Sequence, residues 1–379
     1  RRDCVVSGPA AVPVRIRSPK RAWQMSSELA RPGTVERLAE MLATTEADGR
    51  TVGIRGGGSK ESWGGAGEHP DVTISTRGLD RVVEHAAGDL VVTVEAGALL
   101  ADVQRTVGQA GQWLALDPAA AGAPNGGVVA TAASGPRRLR YGTPRDLLIG
   151  ITVVLADGTV AKSGGKVVKN VAGYDLGKLF TGAFGTLGVI AQCTFRLHAR
   201  PVARRVVRTA TADPVGSFAA IRGTGGEPVA AEWDGTMLTT VFESIESAAI
   251  EQAELAASAA GGEVGASYPT GFGARPWVDG GIGVKMTHRL GALREVLAVV
   301  EEVMPGASIR AHVGSGVVEA SIDVAQLAAL DSLRSSIAAL DGQVIVASAP
   351  DQAKREVDVW GPVRGLAVMQ RIKDQFDPG

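Results

Sequence analysis

Cysteine is almost absent from this 379-residue chain, which has only Cys4 and Cys193. No Cys-x-x-Cys pair occurs, so the chain alone supplies no ligand set for an iron–sulfur cluster or a cysteine-type zinc site. Such scarcity fits a reducing compartment. Long apolar runs are missing too, and none approaches the ~20 residues that a membrane-spanning helix needs. The expectation is a cytoplasmic protein, at most peripheral at the inner face of the membrane. A surplus of either charge is also lacking. The formal net charge is −1, which excludes the basic footprint of a nucleic-acid binder. Positive charge does gather at the start, where Arg1, Arg2, Arg15, Arg17, Lys20 and Arg21 face one acid, Asp3. That stretch has no apolar core of the kind a signal peptide needs. Residues 1–30 read as a disordered or extended arm.

Glycine is what the chain has in excess, with 50 residues, about twice the usual share. The first cluster follows an apolar strand, Thr51 to Ile54, and runs Arg55-Gly56-Gly57-Gly58-Ser59-Lys60-Glu61-Ser62-Trp63-Gly64-Gly65. Three successive glycines carry no Cβ and tolerate positive φ, so several backbone N–H groups can converge on one anion. Ser59 adds a hydroxyl; Arg55 and Lys60 add charge. The pattern is neither the phosphate loop of nucleotide triphosphatases nor the dinucleotide fingerprint that opens a helix. Alone, it also fits an ordinary glycine-rich turn between strands.

A second tract of small residues runs from Ala119 to Gly135 and contains Pro124-Asn125-Gly126-Gly127 and Ala130-Thr131-Ala132-Ala133-Ser134-Gly135. A solvated linker would not carry Val128-Val129 and would hold acids. A flat ring stacked on main chain needs such a surface. Arg137, Arg138, Arg140 and Arg145 follow around Tyr141-Gly142. They fit either a solvated basic face or a grip on an anionic substrate or acidic partner. Asn170 to Leu176 leads into a short helix, and Gly185-Thr186-Leu187-Gly188-Val189-Ile190 opens a long strand. In that strand Ala191, Cys193, Phe195 and Leu197 alternate with polar residues, and His198 falls on the polar side.

Before these motifs, Thr34 caps a helix with Val35, Leu38, Ala39 and Leu42 on one face. Arg81–Ala86 and Leu90–Glu95 form a hairpin, and Ile149–Val160 forms another that turns at Asp157-Gly158. After Pro201 the pattern changes. Two runs of strand–helix–strand–strand–helix follow, separated by the Gly/Pro-rich stretch 268–280. The second run ends in a further strand, so tandem split β-α-β units are expected. A terminal helix is expected over Met369–Phe376.

Taken in order, these five motifs resemble the vanillyl-alcohol-oxidase, or PCMH-type, FAD-binding family across residues 31–200. Within that family the chain is most similar to the FAD-binding subunits of bacterial glycolate oxidases. Lys373-Asp374-Gln375-Phe376-Asp377-Pro378 fits as well, and the resemblance implies a closing segment beyond it. The implied fold class is α+β. A two-subdomain FAD-binding domain (31–200) would precede a ferredoxin-like α+β cap (201–350), with 351–379 returning to the first domain. The resemblance implies that Arg55, Gly56, Gly57, Gly58, Ser59 and Lys60 hold the pyrophosphate. Gly126, Gly127, Ala130, Thr131, Ser134 and Gly135 would line the flavin and ribityl chain. Asp146, Gly185, Gly188, Val189 and Ile190 would complete the cofactor site. Covalent members attach FAD through a histidine often found near the first loop; here His69 is ten residues beyond Ser59, so non-covalent FAD is expected.

Relatives that dehydrogenate 2-hydroxy acids carry His-x-Gly-Asp-Gly-Asn-x-His in the second domain. The matching stretch here is His312-Val313-Gly314-Ser315-Gly316-Val317-Val318-Glu319. The second histidine has become Glu319, Asp has become Ser315 and Asn has become Val317. One His and one Glu make a poor metal site, so no metal is expected and no catalytic residue is assigned. His312 is expected to be a structural turn histidine. The expected role is a flavin subunit of a 2-hydroxy-acid (glycolate) oxidase complex. It would pass electrons between a catalytic flavoprotein and an iron–sulfur subunit. The alternatives are a self-sufficient FAD enzyme acting on another small acid, and a scaffold subunit without catalysis.

Overall fold

The structure, a computed structural model, describes residues 28–378 apart from 68, 121, 167–173 and 279. Residues 1–27 of the arm expected over 1–30, and residues 170–173 of the fourth motif, lie outside the described residues; Glu28–Ala30 of that arm form a strand. The first unit is a three-stranded parallel sheet. Strand β1 (Glu28–Ala30) leads to helix α1 (Val35–Ala47), then β2 (Val52–Arg55) and β3 (Val72–Ser75), in the order β1-β3-β2. The Thr34 hydroxyl caps α1 by accepting from the Arg37 N–H at 3.1 Å. Leu38 and Leu42 are buried against Val72 and Ile74. Helix and sheet thus aim the end of β2, with the first glycine cluster behind it, toward the rest of the molecule.

The second unit is a five-stranded antiparallel sheet with helices around it. Its strands begin with β4 (Val82–Ala86) and β5 (Val91–Glu95), which form the expected hairpin. Helix α2 (Leu100–Gly108) presents Leu100, Val103 and Val107 inward. After β6 (Gln112–Trp113) come α3 (Asn125–Ala130), α4 (Arg138–Tyr141) and α5 (Pro144–Leu147). Strands β7 (Leu148–Val154) and β8 (Val160–Gly164) form the second hairpin. Helix α6 (Leu176–Phe180) and β9 (Val189–Arg196) follow, and β10 (His198–Ala199) pairs with β6. The sheet order is β4-β5-β9-β7-β8. In β9, Ala191, Cys193 and Phe195 are buried and Gln192, Thr194 and Arg196 half-buried, as the alternation predicts.

The third unit is one eight-stranded antiparallel sheet made from two copies of a four-stranded pattern. The first copy holds β11 (Ala203–Ala210), α7 (Pro214–Gly223), β12 (Ala230–Trp233), β13 (Met237–Ser244), α8 (Glu246–Ala260) and β14 (Glu263–Gly265). The second holds β15 (Ile282–Thr287), α9 (Leu293–Val303), β16 (Ser308–His312), β17 (Val317–Ile322), α10 (Leu330–Ala339) and β18 (Gln343–Ser348). The full order is β14-β11-β13-β12-β16-β17-β15-β18. Each half reads fourth, first, third, second strand, which is the ferredoxin-like order. The halves join through their second strands, where Glu232 faces His312 and Trp233 faces Ala311.

One face of this sheet is sealed by Ile221, Ala253, Leu293, Val296, Leu333 and Ile337 from the helices. The opposite face turns toward the second unit, where Val206, Ala230 and Val241 meet Tyr141, Tyr268 and Phe272. Arg137, just before α4, reaches across to Glu243 of β13 at 2.6 Å, and both side chains are largely buried. The chain closes with α11 (Asp351–Glu356) and α12 (Leu366–Phe376). The Phe376 ring meets Phe180 of α6 edge-on at 5.8 Å, so the last helix lies on the second unit.

Candidate functional site

The first glycine cluster, the N-terminal part of α3 and the Phe184–Ile190 segment converge on one cleft of about 390 Å³. Gly57 and Gly127, 70 positions apart in sequence, both line it. The contact between the segments is direct. A Cβ built on Gly56 or Gly57 would stand 3.0 Å from Pro124, so the loop can close on the second tract only because it is bare. The tract itself is a short helix rather than an irregular surface. Its Gly126 sits where a Cβ would meet the Ala96 Cβ at 2.5 Å, and its N–H donates to Ala96 O at 2.8 Å. Gly126 therefore fixes the helix against the end of β5, and its amide is not free for a ligand.

The amides of the first cluster are free. Among the described residues, the N–H groups of Gly57, Gly58, Ser59 and Lys60 have no protein acceptor. Four neighbouring unpaired donors beside a cleft make an anion-binding nest. The charges behind them are unequal. Arg55 is paired with Glu61, so its charge is largely spent. Lys60 donates to the Ser59 hydroxyl at 3.4 Å and lies over the Trp63 ring, 5.9 Å from its centroid. Burial and the nearby Arg275 guanidinium hold its ammonium down to about 8. Donors without acceptors, a bare main-chain wall and a loose lysine fit a diphosphate-bearing ligand with a flat ring. Among the described residues, no histidine or cysteine lines this cleft.

Most of the expected residues come together here: Arg55 to Lys60, Gly126, Gly127, Ala130, Thr131, Gly185, Gly188 and Ile190. Four do not line the cleft. Val189 is buried in the sheet core. Gly135 donates its N–H to Asp117 at 2.9 Å, and the same carboxylate accepts from the Arg137 N–H. Asp146 caps α5 by accepting from the Thr143 N–H and hydroxyl, both at 2.7 Å. Ser134 belongs to a neighbouring cavity. Sequence reasoning missed Thr76, Ala96 and Phe184, which close the walls. They carry no motif of their own, and only the fold brings them in.

The neighbouring cavity, of about 180 Å³, shares Trp63, Thr131 and Phe184 with the cleft. It lies between the second unit and the eight-stranded sheet. Arg138, Arg275, Lys285 and Glu319 line it, with Trp277 and Trp360. Of the arginine cluster around Tyr141, only Arg138 reaches it; Arg137 is taken by Glu243 and Arg140 by Glu227. Lys285 is the one charged residue of β15, and Glu319 the one charged residue of β17. Those lone charges were the available signal.

His312 lines neither cavity. It is 4% exposed, its Nδ1 has no partner among the described residues, and burial beside Arg138, Lys285 and Arg275 pushes it down to about 3. It is a neutral, buried residue at the end of β16. No cluster of three or more potential metal ligands occurs among the described residues. His198 is half-buried and meets Tyr141 edge-on at 5.0 Å.

Residues 27–164 match a family model described as FAD binding domain. That segment is an FAD-binding domain, of the PCMH type. FAD is accordingly the cofactor that the fold is built to take. The chain is 29% identical over 177 residues to glycolate oxidase subunit GlcD of Bacillus subtilis, covering 46% of this chain and 38% of that protein. It is 36% identical over 138 residues to glycolate oxidase subunit GlcE of Escherichia coli, covering 36% and 39%. It is 41% identical over 133 residues to a probable mitochondrial D-lactate dehydrogenase of Danio rerio, covering 34% and 27%. The chain thus spans well under half the length of each of these relatives. Among solved structures, an alkyldihydroxyacetonephosphate synthase superposes with a TM-score of 0.67 over 92% of this chain and 74% of its own, at 15% identity. This likeness extends the shared fold beyond the FAD-binding domain into the eight-stranded sheet.

Proposed function

We propose that this chain is an FAD-dependent oxidoreductase subunit of a glycolate (2-hydroxy-acid) dehydrogenase complex. It would hold FAD without a covalent link and relay electrons from a catalytic flavoprotein to an iron–sulfur subunit. The observation that carries this reading is the convergence of three glycine-bearing segments on one cleft, whose described lining includes no histidine or cysteine. The residues we assign to the cofactor are Gly57, Gly58, Ser59 and Lys60 at the pyrophosphate. Gly127, Ala130 and Thr131 would meet the flavin and ribityl, with Gly185, Gly188 and Ile190 on the facing wall. Each hydrogen bond to a charged phosphate oxygen contributes about 1.5–3 kcal/mol, although the terms do not simply add. Bound there, FAD would take two electrons together and return them singly.

The relay role is favoured by the broken histidine motif: His312 is buried, and Glu319 is held by Arg275 at 3.7 Å. Two similar proteins are named as glycolate oxidase subunits. Co-purification from the native host tests the assignment. Recovery with a second flavoprotein and a chain rich in Cys-x-x-Cys pairs is the expected result; recovery of this chain alone, with full glycolate-dependent flavin reduction, would contradict the relay. The second reading, a self-sufficient dehydrogenase of a small acid, is favoured by the cavity beside the cleft, with Arg138, Arg275 and Lys285 turned into it. Flavin reduction in the isolated chain by a small acid would decide for it.

A further inference from the structure

The cavity beside the FAD cleft carries more positive charge than its own walls neutralise. Arg138, Arg275 and Lys285 line it against one acid, Glu319. Arg138 donates to Ser134 O at 2.8 Å and Gly135 O at 3.3 Å, and among the described residues no carboxylate pairs with it. Arg275 lies over the Trp63 and Trp277 rings, at 4.1 and 4.6 Å from their centroids, and its buried Nε has no hydrogen-bond partner among the described residues. Lys285 makes no hydrogen bond or ion pair among the described residues; the Glu319 directly across the ladder pairs instead with Arg275.

The other acids nearby are committed elsewhere. Asp117 accepts from the Gly135 and Arg137 N–H groups, and Glu232 from the Gly273 N–H. Asp234 pairs with Arg310. His312 is neutral. Three cations facing one carboxylate leave a surplus of two, and an enclosed surplus is costly unless a ligand supplies the missing acceptors.

We infer that this cavity binds a small dicarboxylate, with one carboxylate forked by the guanidinium groups of Arg138 and Arg275 and the other received by Lys285. A planar guanidinium fork matches a carboxylate in two parallel hydrogen bonds, whereas an ammonium acts as a point charge. The volume of about 180 Å³ is below the ~300 Å³ at which drug-sized pockets begin. It suits an acid of a few carbons. The three tryptophans would cover its carbon chain and exclude water. Thr131, Trp63 and Phe184 line both the site and the FAD cleft, so the ligand stands where the substrate of the second reading, a self-sufficient dehydrogenase, would stand. Only that last assignment rests on the FAD reading; binding does not.

A second consequence is independent of turnover. Burial and the neighbouring Arg138 hold Lys285 down to about 8, against the pull of Glu319. A dianion arriving beside it would restore the proton, so binding above pH 8 should take up protons. The charged and titratable groups facing Lys285 are Arg138, Arg275, Glu319 and His312.

Isothermal titration of the purified chain with malonate, glycolate and inorganic phosphate at pH 7 and equal ionic strength tests the inference. Its FAD content is measured on the same sample, which keeps failure here separate from failure of the cofactor reading. Malonate should bind at least tenfold tighter than glycolate and tighter than phosphate. Lys285→Met should remove that preference, and Arg275→Gln should weaken both acids. At pH 8.5, malonate binding repeated in buffers of different ionisation enthalpy should show net proton uptake, lost in Lys285→Met. Equal or tighter glycolate, phosphate tighter than malonate, no binding of any of the three, or malonate affinity untouched by both substitutions would overturn the proposal. Should a variant fail to fold, the proton uptake of the parent chain decides: none at pH 8.5 would also overturn it.

Discussion

Pro124 touches the positions where Gly56 and Gly57 would carry side chains, at 3.0 Å. A branched residue there cannot be absorbed without pushing the loop off α3. Gly57→Val should therefore weaken FAD binding by roughly 10- to 100-fold, the loss of about one charged hydrogen bond. Circular dichroism should be unchanged while the flavin-to-protein ratio falls. Lys60 adds a pH dependence. Its ammonium titrates near 8 because of burial and Arg275, so raising the pH removes positive charge from the cleft and FAD affinity should fall between pH 7 and 9. Lys60→Met should bind FAD about tenfold more weakly at pH 7 and show a flatter profile; fluorescence titration of apoprotein reads both. Glu232 works on stability. Burial, with Glu319 and Asp117 nearby, raises it from 4.5 to about 7. Between those values the folded chain holds a proton that the unfolded chain has lost. Stability contributed by this group is therefore full below about pH 4.5 and lost as pH rises to 7. Glu232→Gln should be more stable than the parent at pH 8, by up to about 3 kcal/mol. The gap should close toward pH 4.5 in urea unfolding.

At the scale of elements, much was legible because periodicity and turn residues agree with tertiary placement. The Thr34 cap, the Asp157-Gly158 turn and the alternation in β9 are local signals that packing reinforces. Helix α3 was not legible. Its sequence, Asn-Gly-Gly-Val-Val-Ala, has poor helix propensity, and tertiary contacts hold it in place: the Asn125 and Gly126 N–H groups donate to Ala98 O and Ala96 O, and Val129 O and Ala130 O accept from the Gly182 and Phe184 N–H groups. Sequence also gave no hint that the two ferredoxin-like halves would share one sheet, since edge pairing of β12 with β16 leaves no periodic mark. The cofactor cleft was readable because bare main chain is itself a motif. The second cavity was not, because its charges come from four separate segments. The last helix offers a test at this scale. Phe376 anchors α12 on Phe180, while Leu366, Val368 and Met369 stay exposed. Phe376→Ala should speed amide exchange over residues 366–376 about tenfold or more, through local opening, with little change in the protection of β9. Equal loosening of both would mean that the helix is integral to the core.

For the molecule as a whole, the FAD-binding domain and the eight-stranded sheet act as two walls of one enclosure. They are held together by Arg137 with Glu243, and by the Ser348 hydroxyl donating to Ser62 Oγ at 2.9 Å, next to the first glycine loop. Phe184 and Trp63 stand where cleft and cavity meet, so cofactor and small acid would share a boundary. No helix among the described residues is long and apolar enough to cross a membrane. The account depends on a dinucleotide flavin held in the cleft without a covalent bond, by bare main chain with Ser59 and Lys60 beside it. The most direct test is acid precipitation of the gently purified chain, followed by chromatography of the supernatant. Release of FAD in equimolar amount, leaving a colourless pellet, is the predicted result. A pellet that stays yellow would contradict the non-covalent site, and a chain that neither carries FAD nor takes it up on reconstitution would contradict the cleft itself.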